Sequence, residues 1–409
     1  MKSTEFFETG SQSTKGPLAG LRVVEATTTW AGPLCGCLFA DLGADVIKVE
    51  TPEGEIARAI PPHLPGSDPP LSFMHQTVNR GKRSLTLDLR LTKGQEVFLK
   101  LAETADVIVE NFRPGTVSQW GVDYLSLRKH KPDIVYVSIS GFGQYGPDSD
   151  QAGYDPIAQA SSGWLSLNGE TKGNPIKAPT FLADDFAGLH AAFSVLAALR
   201  HRDQTGEGQY IDVALQDVLF FQSNGFPTLA AMGVELPRLG GQFMVAAPAG
   251  VFQCRDGMLM TGVLTDRHWR VLAELIGRRE LAEDPEWATG IKRIANREEA
   301  NALLQSYLSG LSVASAIERL LTAKLPVSAV RSYAEAAEDP HLRERDMLQK
   351  IELEDGSVAP IVGPAAKFSR TPARIREAAP ALGRDTQTIL EELGFEDEGI
   401  SSLRNEGVI

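Results

Sequence analysis

Apolar segments separated by polar turns follow one another through the first half of the chain. Near-continuous apolar stretches predict buried strands, and apolar residues at helical spacing predict helices between them. The predicted strands are 21–26, 44–50, 84–89, 106–112, 133–140 and 210–213, and the intervening helices are 34–42, 94–105 and 116–129. Strands that alternate with helices over short loops are typical of an α/β fold with a parallel sheet. Ligands bind such sheets at the carboxyl ends of the strands.

The pattern changes beyond about residue 225. Residues 250–262 predict a hairpin, and helical spacing recurs at 266–277, 296–309 and 313–323, which together predict a smaller α+β domain. A strand pair at 347–353 and 357–362 follows, and then a last helix from Asp385 to Leu393. The Pro-rich residues 51–78 are predicted to form a loop over the edge of the sheet.

Asp184 opens a helical pattern that continues without a breaker to Arg200. A carboxylate there faces the positive end of the helix dipole and unpaired backbone N–H groups, so we expect it to be ionised at neutral pH. Aspartate is a preferred helix N-cap, and it can also serve as a carboxylate nucleophile; this pattern by itself allows both roles. The side chain of the adjacent Asp185 is expected to point away from the strand ends.

The charge balance argues against a broad nucleic-acid surface, because 53 acidic and 40 basic residues give a net charge of −13. No apolar run approaches the roughly 20 residues that a membrane span requires, and the polar start lacks a signal-peptide core. We therefore expect a cytoplasmic protein that binds neither nucleic acid nor membrane. The 3 cysteines offer no metal-ligand spacing beyond a lone C-x-C, so no metal is expected.

A series of short motifs runs in order through nearly the whole chain. They are Gly-Leu-Arg-Val-Val-Glu at 20–25, Ala-Gly-Pro at 31–33, Ala-Asp-Val-Ile-Lys-Val-Glu at 44–50, Asn-Arg-Gly-Lys-Arg-Ser at 79–84, Glu-Asn-Phe-Arg-Pro-Gly at 110–115, Gly-Phe-Gly at 141–143, Ala-Asp at 183–184, Thr-Gly-Glu-Gly-Gln at 205–209 and Cys-Arg-Asp-Gly at 254–257. The ordered set resembles the family III CoA-transferases, also called the CaiB/BaiF family. The turn at 27–33 is not GxGxxG, so nothing in it specifies a dinucleotide.

The resemblance implies an architecture. Family members have a Rossmann-like large domain made from both chain ends, a smaller domain between them, and two subunits threaded through each other as interlocked rings. The corresponding division here is 1–205 for the CoA-binding N-terminal part of the large domain, 206–225 for a linker, 226–330 for the small domain, and 331–409 for a linker and the C-terminal return to the large domain. The partner subunit is expected to be a second copy of the chain or a homologous chain.

The resemblance also implies a reaction in which Asp184 is the nucleophile. CoA moves from an acyl-CoA donor to a carboxylic acid acceptor through aspartyl mixed-anhydride and aspartyl-CoA thioester intermediates, so CoA is a substrate and no prosthetic group is expected. CoA carries phosphates, and an acidic protein must concentrate positive charge locally to hold them. The residues predicted to contact CoA are Arg80, Lys82, Arg83 and Arg113, with Asn111 and Phe112 at the adenine.

The acyl pocket is predicted at the turn that follows the first strand, with Thr29, Trp30 and Ala31 beside Tyr154 and Asp184. The large indole of Trp30 suggests an apolar surface, although the ring can instead pack under CoA or at a subunit interface. The turn looks similar to members that use succinyl-CoA and activate an aromatic or branched dicarboxylate such as benzylsuccinate.

A segment formed by Gly240, Gly241 and Gln242 resembles the mobile glycine loop of the family, which would close over the intermediates and supply oxyanion donors. A plain interdomain linker is the alternative interpretation.

Two other activities are weighed against the transferase. The related α-methylacyl-CoA racemases use a histidine in a Gly-His-Asp segment, where this chain has Gly153-Tyr154-Asp155, and His190 is expected to be a packed helix residue. The third class considered is an acyl-CoA-binding subunit of a heteromeric transferase. The intact Asp184 argues against that class.

Overall fold

The computed structural model describes residues 3–8 and 15–409. The strands are β1 (Arg22–Ala26), β2 (Asp45–Glu50), β3 (Arg83–Thr86), β4 (Val107–Glu110), β5 (Val135–Ser140), β6 (Tyr210–Ala214), β7 (Ala249–Gln253), β8 (Met258–Gly262), β9 (Val327–Ala329), β10 (Leu348–Glu352) and β11 (Val358–Val362). The helices are α1 (Ser3–Glu8), α2 (Ala31–Asp41), α3 (Phe73–Val78), α4 (Thr92–Glu103), α5 (Thr116–Gln119), α6 (Tyr124–Leu127), α7 (Asp155–Ser161), α8 (Trp164–Leu167), α9 (Leu182–Thr205), α10 (Leu215–Phe221), α11 (Phe226–Ala231), α12 (Asp266–Leu275), α13 (Glu280–Glu283), α14 (Gly290–Ala295), α15 (Arg297–Ser309), α16 (Val313–Thr322), α17 (Tyr333–Ala337), α18 (Pro340–Glu344), α19 (Thr386–Glu392) and α20 (Asp397–Asn405).

A six-stranded parallel sheet organises the larger part of the chain. Its strand order is β3-β2-β1-β4-β5-β6, and each neighbouring pair is parallel. This is the strand order of the Rossmann fold. Successive strands are added toward one side of the sheet from β1 to β3 and toward the other side from β4 to β6, so the order reverses between β1 and β4. The predicted parallel α/β sheet is therefore confirmed, and the turns that leave β1 and β4 lie side by side at the place where such sheets bind ligands.

Both faces of the sheet are buried, which explains why the strands read as continuous apolar runs rather than as alternating ones. On one face Val23, Val46 and Val107 pack against α2 and α9. On the other face Val24 and Ile108 pack with residues of α4, α19 and α20. Successive residues of one strand therefore contribute to two different cores.

Helix α9 is held against the sheet by small residues. Ala183, Ala187 and Ala191 are fully buried, and a Cβ at Gly188 would lie 2.9 Å from the carbonyl oxygen of Ala31. The start of α9 is thus brought against the start of α2. Among the described residues, α9 is also the one helix long and apolar enough to cross a membrane; its small-residue face lies in the core, as in core helices of soluble proteins.

The chain divides into two compact units. The larger contains the described residues of Met1–Trp164 together with Ala178–Met232 and Pro340–Ile409, and the smaller contains Leu165–Lys177 and Gly233–Asp339. In the smaller unit, the antiparallel sheet β7-β8-β9 shares a core with helices α12, α15 and α16 around the buried Trp269. Arg238 joins its two segments by donating to the carbonyls of Glu170 and Gly173.

Several predicted boundaries differ from the structure for local reasons. Residues 206–225, predicted as a linker, contain β6, which extends the parallel sheet beside β5, and α10. The structure extends the smaller unit to Asp339 and leaves α11 in the larger unit, whereas the prediction placed the small domain at 226–330.

Three predicted elements also differ. The helix predicted at 116–129 is interrupted by Gly121, whose φ is +70°, and restarts where Asp123 accepts a hydrogen bond from the backbone of Ser126. The loop predicted at 51–78 contains α3, and α20 follows the helix that was predicted to be the last.

Candidate active site

The turn that leaves β1 is fixed at the carboxyl edge of the sheet by groups from neighbouring strands. The Asn111 side chain, directly after β4, accepts a hydrogen bond from the N–H of Thr28 and donates one to its carbonyl, each 2.8 Å long. Lys48 donates to the Thr27 carbonyl at 2.9 Å. These bonds immobilise the backbone at the point where the strand order reverses.

Trp30 connects this turn to the start of α9. Its indole Nε1 donates to Asp185 Oδ1 at 2.7 Å, and its ring lies 5.1 Å from that of Phe181. The side chain of Asp185 therefore faces the turn after β1, and the expectation that it points away from the strand ends is wrong. Direct packing of α9 on α2 brings the carboxylate within reach of the indole.

The N-cap of α9 is Phe181, which makes no side-chain capping bond. The missing acceptor is supplied from α7, because Asp155 Oδ1 accepts the N–H of Ala183 at 2.8 Å and its Oδ2 accepts from Gln159. Asp184 occupies the third helical position. The interpretation of Asp184 as an N-cap is therefore wrong, and its carboxylate makes no hydrogen bond to another described residue.

Burial is the largest cause that raises the pKa of Asp184, to about 7, and the negative charges of Asp155 and Asp185 raise it further. The helix dipole acts in the opposite direction but does not outweigh them. The expectation that Asp184 is ionised at neutral pH simply because of its helix position is therefore incomplete. Near pH 7 the group exists in both forms, and the ionised form is an unusually basic carboxylate.

The other predicted pocket residues differ in exposure. Tyr154 is exposed and directly precedes α7. Ala31 is buried at the first position of α2, so only its backbone is placed to face a ligand. The Thr29 N–H donates to Glu55 Oε2 at 2.7 Å, which fixes the residue before Trp30.

Three of the residues predicted to contact CoA are committed to internal carboxylates. Arg80 pairs with Asp41 at the end of α2, and Arg83 pairs with Asp45 and Glu392. Both lie at the amino edge of the sheet, because a turn that enters a parallel strand lies at the edge opposite to a turn that leaves one. Contact of Arg80 and Arg83 with CoA stays a prediction, and these ion pairs do not favour it.

Lys82, the third of these residues, is buried. Its side chain is 0% exposed, and its Nζ donates to Glu25 at 2.7 Å, to the Pro33 carbonyl and to Asn79. Burial lowers the pKa of Lys82, and the charge of Glu25 is the largest opposing influence. This ammonium group supports the first turn of α2 from within the core and has no free donor for a phosphate.

Basic side chains at the carboxyl edge are better placed. Arg113 is exposed after β4 and donates to the Asp150 carbonyl. Arg90 follows β3, with a side chain 59% exposed and paired with Asp88. Asn111 is occupied by the turn of β1, and Phe112 packs edge-on against Trp120 at 5.1 Å, so their predicted contacts with adenine stay untested.

Two predictions outside this edge can be compared with the structure. In the smaller unit, Gly241 accepts a backbone hydrogen bond from Val251 of β7, so the segment Gly240-Gly241-Gln242 is tied to a strand; its closure over intermediates stays a prediction. His190 contacts Gln222 at 2.9 Å and the Phe221 ring. The expectation that His190 is a packed helix residue is confirmed.

Sequence reasoning missed Asp155 as the cap of α9, Glu55 as the acceptor for Thr29, and Arg90. The pair Asp155-Pro156 was a usable signal, since proline is favoured in the first turn of a helix. Arg90 was detectable from its position just after a predicted strand. Nothing local marked Glu55 as the acceptor for Thr29, because these two residues are 26 positions apart in the chain.

Within the ranges that the structure describes, no cluster of three His, Cys, Asp or Glu side chains is arranged to hold a metal. The central feature is the Asp184 carboxylate in the first turn of α9, which has no hydrogen-bond partner in the described part of the chain and lies on the helix that Trp30 connects to the turn after β1. Such a group can attack an electrophilic carbonyl carbon and form an acyl intermediate.

Comparison with known proteins identifies the family. The sequence model of CoA-transferase family III matches residues 18–386. The chain is 37% identical over 385 residues to the succinate–glutarate CoA-transferase of Agrobacterium fabrum, covering 93% of this chain and 96% of that protein. It is also 37% identical over 401 residues to the succinyl-CoA–L-malate CoA-transferase beta subunit of Chloroflexus aurantiacus, covering 96% and 98% respectively.

A solved structure agrees with this assignment. A CAIB/BAIF family protein from Brucella suis superposes with a TM-score of 0.81 at 34% identity, covering 93% of this chain and all of that one. The ordered motifs and the Rossmann strand order agree with these comparisons. This chain is a CoA-transferase and belongs to CoA-transferase family III, the CaiB/BaiF family.

Proposed function

We propose that Asp184 is the nucleophile that moves CoA from an acyl-CoA donor to a carboxylic acid. The observation that carries this proposal is the Asp184 carboxylate, which has no hydrogen-bond partner among the described residues and lies at the start of α9 near the fixed turn of Trp30. A carboxylate with a pKa near 7 is more nucleophilic than an ordinary aspartate and is still substantially ionised at neutral pH.

Each step exchanges one bond for another. An Asp184 oxygen attacks the thioester carbonyl carbon, the C–S bond breaks, and CoA thiolate leaves a mixed anhydride. The thiolate then attacks the aspartyl carbonyl, releases the donor acid and forms an aspartyl-CoA thioester. The acceptor carboxylate attacks the carbonyl carbon of this thioester, the C–S bond breaks, and CoA thiolate leaves a new mixed anhydride between Asp184 and the acceptor. Returning thiolate attacks the acceptor carbonyl of that anhydride, which yields the new acyl-CoA and free Asp184.

Phosphates of CoA are proposed to bind at the carboxyl edge through Arg90 and Arg113. Arginine presents a planar set of donors that matches phosphate geometry. Arg90 follows β3 and Arg113 follows β4, and both are exposed. Phe112 and Asn111 remain candidates for the adenine through stacking and hydrogen bonding.

Succinyl-CoA is the proposed donor, because two similar proteins are named for succinate or succinyl-CoA. The acceptor is proposed to be a carboxylic acid with an apolar, aromatic or branched body, such as a benzylsuccinate-like dicarboxylate. This assignment rests on the indole of Trp30 beside Asp185, with Thr29 and Tyr154 as further walls. We propose that the segment at Gly240–Gln242 closes over the reacting atoms and excludes water.

The working form is proposed to be a cytoplasmic interlocked dimer. Large apolar side chains are exposed on α9, α10 and just after α11, including Phe193 at 73%, Phe221 at 73% and Met232 at 76%. An apolar surface of this kind marks a protein interface. A second copy of the chain is the proposed partner, with a homologous subunit as the alternative that the beta-subunit relative raises.

Trapping of the acyl enzyme tests the central proposal. Incubation with succinyl-CoA followed by hydroxylamine should convert Asp184 to a hydroxamate that peptide mass spectrometry locates, and Asp184→Ala should bind CoA without transferring it. A hydroxamate found on Asp185 or Asp155 instead would refute the assignment. Panels of donors and acceptors assayed for CoA exchange then define the acid pair.

A further inference from the structure

The residue before Trp30 has an unusual backbone. Thr29 has φ +63°, in the left-handed region that β-branched residues rarely occupy. Trp30 itself, the N-cap of α2, has φ −133° and ψ −62° and makes no capping bond. Backbone of this kind is strained and persists only where the surroundings hold it. The proposed chemistry at Asp184 does not by itself explain it.

A buried ion pair holds the strained residue. Glu55 Oε2 accepts the Thr29 N–H at 2.7 Å, while Glu55 Oε1 lies 3.2 Å from the Nζ of Lys48, whose side chain is 0% exposed. The same Nζ donates to the Thr27 carbonyl. One carboxylate and one ammonium group thus fix the turn on both sides of Thr28.

The strained turn directs the Trp30 side chain toward α9. There the indole N–H donates to Asp185, and the ring meets Phe181. The indole is therefore fixed at its base by the backbone and at its far end by a charge-assisted hydrogen bond, which is stronger than a neutral one. A ring held at two points leaves little freedom to adapt to the shape of a substrate.

We propose that Asp185 and Glu55 are positioning residues that hold Trp30 as a rigid wall beside Asp184 and thereby set the size of acyl group the enzyme accepts. The proposal rests on the transferase function and the nucleophilic role of Asp184 proposed above, and it assigns neither residue to the reacting atoms. Asp185 acts through the indole, and Glu55 acts through the backbone of Thr29.

Matched variants test the Asp185 contact. Asp185→Ala removes the acceptor and Trp30→Phe removes the donor, while Asp185→Asn keeps an oxygen that can accept from the indole. Asp203→Ala, at an exposed position near the other end of the same helix, is the control. The measured quantity is the ratio of kcat/KM for a bulky acceptor acid to that for a small one, with succinyl-CoA as donor.

Asp185→Ala and Trp30→Phe should change this ratio in the same direction, by about fivefold or more, and their double variant should add little to either change. Asp185→Asn and Asp203→Ala should keep the parent ratio. Equal losses for both acids in Asp185→Ala and Trp30→Phe, or full additivity in the double variant, would overturn the role of Asp185.

The Glu55 contact is tested in the same assay. Glu55→Ala should change the ratio as Asp185→Ala does, whereas Glu53→Ala, an exposed glutamate of the same loop, should not. An unchanged ratio in folded, active Glu55→Ala refutes its role. If Glu55→Ala does not fold, Glu55→Asp, whose carboxylate is one methylene too short to accept from Thr29, replaces it: a ratio shifted in the same direction as in Asp185→Ala supports the contact, and the parent ratio opposes it.

Hydroxamate trapping at Asp184 is run on every variant. Trapping that fails in the parent enzyme refutes the proposed function itself, whereas normal trapping with an unchanged ratio in the Asp185 and Glu55 variants refutes only the positioning role.

Discussion

Replacing Asp184 with asparagine is expected to stabilise the protein at neutral pH while abolishing CoA transfer. The carboxylate has no hydrogen bond to another described residue, so an isosteric amide gives up no contact of that kind. Burial and the neighbouring charges of Asp155 and Asp185 make the ionised form costly, which is why the pKa is raised. Asparagine removes that cost.

The magnitude follows from the pKa of Asp184, which rises from 3.8 to about 7 on folding. Each pKa unit is worth about 1.4 kcal/mol, so the upper bound at pH above 7 is about 4 kcal/mol. The side chain is partly exposed, and water screens the charge, so we expect a measured gain of about 1–2 kcal/mol. The folded form keeps its proton to higher pH than the unfolded form, so this stability is fully present below pH 4 and is lost progressively as pH rises from about 4 to about 7.

Urea unfolding of the ligand-free protein between pH 4 and pH 8, followed by circular dichroism, measures the effect. The stability gap between Asp184→Asn and the parent should be small near pH 4, should grow as pH rises, and should have its full value by pH 8. Asp203→Asn, at an exposed site on the same helix, is the control and should show no such trend. A gap that is independent of pH, or an asparagine variant less stable than the parent at pH 8, would refute the electrostatic reasoning.

Three further outcomes are expected. Cleavage of the donor in a single turnover should speed up as pH rises to about 7, because only ionised Asp184 attacks. Asp185→Asn should move the midpoint of this rate–pH curve to lower pH, because it removes a negative charge beside Asp184. Stopped-flow detection of released free thiol measures both rates. Lys82→Met should lower the free energy of unfolding by about 3–5 kcal/mol, since it takes the closest cation from the buried Glu25; a loss under 1 kcal/mol would contradict the core role of the ion pair. Arg90→Gln should raise KM for donor and free CoA several-fold with little change in kcat, and unchanged CoA affinity by calorimetry would exclude the proposed phosphate contact.

The apolar runs were sufficient to predict the parallel sheet, because strands buried on both faces need apolar residues at successive positions. The long helix that carries Asp184 was predictable as well, since its apolar spacing is local and uninterrupted, although it begins earlier, at Leu182. The ordered motifs then identified the family before any contact was known. These features depend on residues that are neighbours in the chain, and sequence records them directly.

Tertiary structure alone decided which charges are free. Lys82 and Arg113 look alike in sequence, yet one is sealed against Glu25 and the other is exposed after β4. The same holds for carboxylates: Asp155 caps α9 from another helix, whereas the Asp184 carboxylate has no hydrogen-bond partner among the described residues. Burial and distance to groups remote in sequence set both outcomes, since desolvation and Coulomb energy depend on position in space.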